Sequence, residues 1–171
     1  MKLILKSFLL LAVGISIAVI VYPLLHELGH SILAIIFGAK IMDFKLLPIP
    51  SVLLKLNSSI SEFNFLLLGL SGMLFPYIIS ILLPFKAFWK WYIRITLRLI
   101  CLLSFALGIV SMIMYKRGNN FPNDDIVIIL KNSPQYMPCC FVTLTLLLIS
   151  AIILFASDFV VFNKKKLYKT F

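Results

Sequence analysis

Between residues 3 and 37 the only formal charges are Lys6 and Glu27, and almost everything else in that run is apolar. About 20 such residues in a helix cross the hydrocarbon core of a bilayer. Three further apolar runs of spanning length follow, at 61–83, 93–115 and 136–162. Lipid offers backbone groups no hydrogen-bond partner, so a spanning segment is a helix or part of a closed barrel, and runs this long are helical. The apolar share of 62% lies well above the roughly 45–50% of soluble domains. The fold class expected is an all-α polytopic membrane protein, one domain over 1–171, with four transmembrane helices. Pro23 raises the count to five if it divides the first run; without polar turn residues beside it, one tilted, kinked helix is favoured. That run is too long for a cleaved signal peptide and lacks its small-residue cleavage site.

The net charge of +10 is not a nucleic-acid signature, because the cations stand at the ends of apolar segments, where they set topology and meet anionic lipid. Lys2, Lys6, Lys86, Lys90, Arg94, Arg98, Lys164, Lys165, Lys166 and Lys169 fall on one side of a four-span arrangement. The excess places both termini in the cytoplasm. Arg94 and Arg98 are expected to snorkel to headgroups, and Trp89, Trp91 and Tyr92 to form an aromatic belt. Cys101, Cys139 and Cys140 lack the spacing of a disulfide or zinc framework and read as apolar packing residues.

The stretch after the first run has another texture. Gly38-Ala39-Lys40 stops a helix, and residues 41–46 and 52–56 then form two short extended pieces around Pro48 and Pro50. A β-like hairpin and an ordinary loop both fit this pattern. An exposed hairpin edge would suit pairing with an unwound peptide. Gly69-Leu70-Ser71-Gly72 reads as a close-packing helix surface. A short helix at 126–130 follows Asn123-Asp124-Asp125.

The first run also holds His26-Glu27-Leu28-Gly29-His30, and these two histidines are the only ones in the chain. An HExxH pentad on a helix sets two imidazoles one turn apart on one face, able to grip one zinc ion, with the glutamate beside them as general base. A carboxylate inside a spanning helix costs about 2.5–3.5 kcal/mol on insertion scales, which marks it as functional rather than incidental. Catalytic zinc takes three protein ligands, commonly two His and a carboxylate, plus water. Of the remaining acids, Asp43, Glu62, Asp124, Asp125 and Asp158, Asp158 reads as an interfacial charge and Glu62 as a helix opener. The Asp124-Asp125 pair falls toward the same leaflet as the pentad. Helix capping is its competing role.

HELGH in a membrane helix, a later Gly-Leu-Ser-Gly span and an Asn-Asp-Asp helix before a final span together resemble the site-2 protease family of intramembrane zinc metalloproteases. The likeness is greatest to a small bacterial branch with a minimal membrane core, and covers about 22–162. It implies His26, His30 and Asp124 as ligands of one Zn2+, Asp125 being the alternative, and Glu27 as the catalytic base. It further implies a metalloendopeptidase in a bacterial cell membrane. The substrate would be a membrane protein cut in or beside a transmembrane segment, with room for a regulatory membrane partner. The competing expectation is a non-catalytic zinc-binding or client-regulating protein on the same fold.

Overall fold

The computed structural model describes residues 2–46, 50–55, 60–84, 87–119 and 124–165. Pro48, Lys86, Asn123, Lys166 and Lys169 lie outside them. The protein is an all-α polytopic membrane protein, and among the described residues four helical stretches are long and apolar enough to span a bilayer.

The first stretch comprises α1 (Lys2–Ser16), a π-helical turn (Ile17–Val21) and α2 (Tyr22–Ile36). Pro23 occupies the first turn of α2 and has no N–H to offer the preceding turn. The ladder widens just before it, and the Tyr22 N–H reaches back five residues to the Ile17 carbonyl. Pro23 therefore leaves the crossing continuous and restarts its register. Gly38, with φ of 76°, then turns the chain out of α2.

The two extended pieces form a hairpin: β1 (Lys40–Lys45) pairs antiparallel with β2 (Ser51–Lys55), with a register shift between Ile41 and Asp43. Next comes α3 (Glu62–Leu82), capped by Ser61, whose hydroxyl accepts the Asn64 N–H at 3.2 Å. The third span, α4 (Phe88–Lys116), begins before the expected residue 93. A short helix, α5 (Asp125–Asn132), and a 3₁₀ turn (Pro134–Tyr136) lead into α6 (Met137–Lys165).

The core lies where α3, α4 and α6 meet over α5. Leu66, Leu97, Phe105, Met112, Ile126, Leu130 and Leu144 are buried there. Gly69 lets α5 approach, since a Cβ on it would sit 2.3 Å from Ile129 Cδ1. Cys101 and Cys140 are buried and unpaired, as packing residues would be, whereas Cys139 is exposed.

Three interfacial expectations are corrected. Arg98 does not snorkel: it is 0% exposed, and its Nη1 donates to Asp158 Oδ2 at 2.6 Å and to the Leu154 carbonyl at 2.9 Å. Asp158 is correspondingly an internal charge, 3% exposed, which also accepts the Arg94 Nε–H at 3.1 Å. Trp91 is turned inward and stacks on Phe162 with centroids 3.9 Å apart. The common feature is the packing of this face of α4 against α6, where an unpaired cation would be costly and a carboxylate is at hand.

Candidate metal centre

His26 and His30 share the face of α2 that meets α3. Their rings lie 4.8 Å apart, edge to face. Two glycines allow this approach. A Cβ on Gly29 would stand 2.4 Å from the Ser71 carbonyl oxygen, so α2 and α3 run nearly backbone to backbone there. A Cβ on Gly72 would fall 2.6 Å from His26 Nε2 and 2.5 Å from His30 Nε2. Gly72 is the floor of the site rather than a packing surface alone.

The His30 Nδ1–H donates to the Leu68 carbonyl at 2.8 Å. A carbonyl can only accept, so the proton sits on Nδ1 and neutral His30 presents a lone pair on Nε2. That atom faces His26 Nε2 at 3.1 Å and Asp125 Oδ2 at 3.2 Å, and His26 Nε2 lies 2.8 Å from the same oxygen. Lone pairs and a carboxylate this close repel one another unless they hold a proton or a cation in common. Ligands at 2.0–2.1 Å from a tetrahedral zinc would be separated by roughly 3.3 Å, a few tenths more than seen between these atoms. The donor set and its spacing fit a small divalent ion.

The carboxylate at this junction is Asp125; Asp124, the expected third ligand, is not there. Asp124 is the N-cap of α5, accepting the Val127 N–H at 3.1 Å and the Ser111 hydroxyl at 2.8 Å. Its side chain is folded back onto its own helix and tied to α4. Asp125, the next residue, is helical and projects toward the imidazoles. Burial alone would raise its pKa. A proton held between the two imidazoles and its Oδ2 outweighs that and keeps the carboxyl well below the usual carboxylate range. Asp43 lies on β1 beside Lys45, at 3.6 Å, and Glu62 opens α3.

Glu27 is on the flank of the pair. Its Oε2 accepts the Val52 N–H of β2 at 3.0 Å, and it lines a cavity of about 380 Å³ with His30, Val52, Leu54, Leu68 and Asp125. A second cavity of about 400 Å³ reaches the cluster from the other side, past Tyr22, His26, Ser104 and Asp125. The anchoring carbonyl of Leu68, the Val52 amide and the Gly72 floor were invisible as site features in the sequence. Only the Gly69/Gly72 spacing hinted at one of them.

The Gly72 floor gives a direct test. Alanine there puts a methyl group against both imidazoles, and uptake of a divalent cation should fall by about 100-fold or more, the upper range for disturbing the support of a metal site. Gly108→Ala, whose methyl meets apolar side-chain atoms at 3.3 Å and beyond, should leave uptake unchanged. Metal titration of the two purified variants makes the comparison.

No protein-family model, curated protein or solved structure matches this chain.

Proposed function

We propose that this protein is an intramembrane zinc metalloendopeptidase of the site-2 protease type, cutting a membrane protein in or beside a transmembrane segment. The observation that carries the reading is the meeting of His26, His30 and Asp125 at one point, with Glu27 on the wall of a cavity that includes two of them. A bacterial cell membrane is the setting implied by the sequence likeness to the small branch of that family.

His26, His30 and Asp125 would hold the ion, which when bound lowers the pKa of water toward 7 and polarises the scissile carbonyl. The remaining chemistry belongs to the chain. His30 is fixed in one tautomer by the Leu68 carbonyl, so its ring cannot turn its lone pair away. Glu27 takes the proton of the attacking water on a carboxylate oxygen and hands it to the leaving amine nitrogen. The Val52 N–H holds the other end of that carboxylate and fixes its direction.

A peptide bond within a helix keeps its carbonyl in the helical ladder, so the substrate must unwind before it reacts. The edge of β2 offers the unwound segment new backbone partners by strand addition. Apolar walls from Val52, Leu54, Phe65 and Ile129 receive its side chains. The bilayer delivers the substrate, and the two cavities are the route for water to the cluster.

The test is Glu27→Gln. The variant keeps the shape of the side chain and an acceptor for Val52 but cannot take a proton. It should bind zinc as the wild type does and cut co-reconstituted single-span reporters about 10²–10⁴-fold more slowly, the usual contribution of a general base. Undiminished cutting would remove Glu27 from the mechanism. Zinc binding without cutting by the wild type, across reporters with helix-breaking residues in their spans, would favour the non-catalytic, client-binding alternative.

A further inference from the structure

The hairpin register sets two cations face to face. Lys40 of β1 is the direct partner of Lys55 of β2, and both are exposed. Like charges at directly opposed positions destabilise a strand pair. No acid among the described residues relieves them. The hairpin's single acid, Asp43, is engaged with Lys45 at the other end, and neither Lys40 nor Lys55 has an acidic partner among the described residues. Lys55 lies on the same strand whose Val52 amide touches the candidate base.

We propose that Lys55, backed by Lys40, is a specificity determinant: it selects substrates with an acidic residue three positions from the cleaved bond. The inference rests on the peptidase reading and on strand addition at β2. Val52 turns its N–H away from β1, toward Glu27. By the alternation of an antiparallel ladder, Leu54 also presents its backbone to the open edge. A peptide laid along that edge has its reacting bond opposite Val52, where Glu27 reaches it. Lys55 is three residues further on, about 10 Å at 3.4 Å per residue.

Val52 and Leu54 are half-buried toward the cavity, whereas Ser51, Leu53 and Lys55 share the exposed face. The peptide residue opposite Val52 therefore points with it to the cavity, and the one opposite Lys55 points to the exposed face. Directly opposed side chains are about 5 Å apart at Cβ, which is within reach of a Glu or Asp carboxylate for Lys55. The Lys40 side chain, one strand away on the same face, can share it. The partner is thus a substrate segment that is apolar at the cut and acidic just beyond it.

Zinc-loaded Glu27→Gln protein in zwitterionic nanodiscs binds such a peptide without consuming it. The probes are short apolar peptides identical except for Glu, Gln or Lys three residues from the centre, on either side. The Glu peptide should bind about tenfold more tightly than the Lys peptide, as expected for exchanging an attractive cross-strand pair for a repulsive one. Added salt should shrink the difference. Lys55→Glu should reverse the order, and Lys40→Gln should reduce it by a smaller factor.

Equal binding of all three peptides would overturn the proposal. So would indifference to the peptides together with anionic lipid retained by the wild type and lost by the Lys40→Gln/Lys55→Gln variant, which would assign the pair to headgroups. Cleavage by the wild type separates the two layers of the argument. Cutting without charge preference sinks the specificity while leaving the peptidase standing. Preference without cutting does the reverse.

Discussion

Alanine at position 125 should abolish zinc binding at the candidate centre, whereas alanine at 124 should leave it intact. Asp125 Oδ2 is within 3.2 Å of both imidazole nitrogens, and among the described residues it is the acid whose oxygen completes the ligand group. Losing it removes one of three donors and the only anionic one. The affinity for zinc should fall by more than about 100-fold, beyond what loss of a supporting partner costs. Asp124→Ala removes a helix cap and the bond from Ser111. It should cost about 1 kcal/mol of stability, typical for an N-cap, and should change zinc stoichiometry little. Metal content by elemental analysis, read beside the unfolding midpoint in detergent, distinguishes the two. The opposite pattern, with metal lost at 124 and kept at 125, would refute the ligand set drawn from the geometry.

The second large effect is expected far from the candidate metal centre. Asp158→Asn should destabilise the protein by about 3–5 kcal/mol, the range for removing one partner of a buried ion pair. Arg98 is wholly enclosed between α4 and α6, and two of its nitrogens, Nε and Nη2, already lack a hydrogen-bond partner among the described residues. Asp158 is what makes its charge tolerable. An asparagine keeps the shape and loses the compensation. Arg98→Met should be milder, because an unbranched apolar chain fills much the same volume while Asp158 keeps Arg94 at 3.1 Å. Thermal or SDS-induced unfolding in micelles reads both variants. A loss at Arg98→Met equal to that at Asp158→Asn would mean that packing, rather than uncompensated charge, dominates.

The spans and the paired imidazoles were legible in the sequence because each follows from a short-range rule. Apolar length decides what crosses a membrane, and a spacing of four puts His26 and His30 on one helix face. The hairpin was half legible, since imperfect alternation around prolines suits a loop equally well. What resisted reading was set by distant or very local geometry. Asp124 and Asp125 are chemically identical neighbours, and only the backbone at the start of α5 decides which one caps and which one projects. The β-region φ and ψ of Asp124, −86° and 125°, fold its carboxylate onto the Val127 amide. Arg98 looked interfacial because its counter-charge lies 60 residues away. Gly72 looked like packing because its true neighbours, the two imidazoles, belong to another helix.

The π-helical turn before Tyr22 has a mechanical corollary. The first crossing is a single 33-residue segment, about 50 Å at 1.5 Å per residue, against a hydrocarbon layer of about 30 Å. Such excess length is taken up by leaning or bending. The widened turn at Ile17–Val21 is where the bending can occur, as a swivel between an outer rod, tied to α4 through the Tyr92 hydroxyl at the Leu10 carbonyl, and an inner rod pinned to α3. Bilayers of different thickness then change the lean of residues 2–16 while the imidazoles keep their aim.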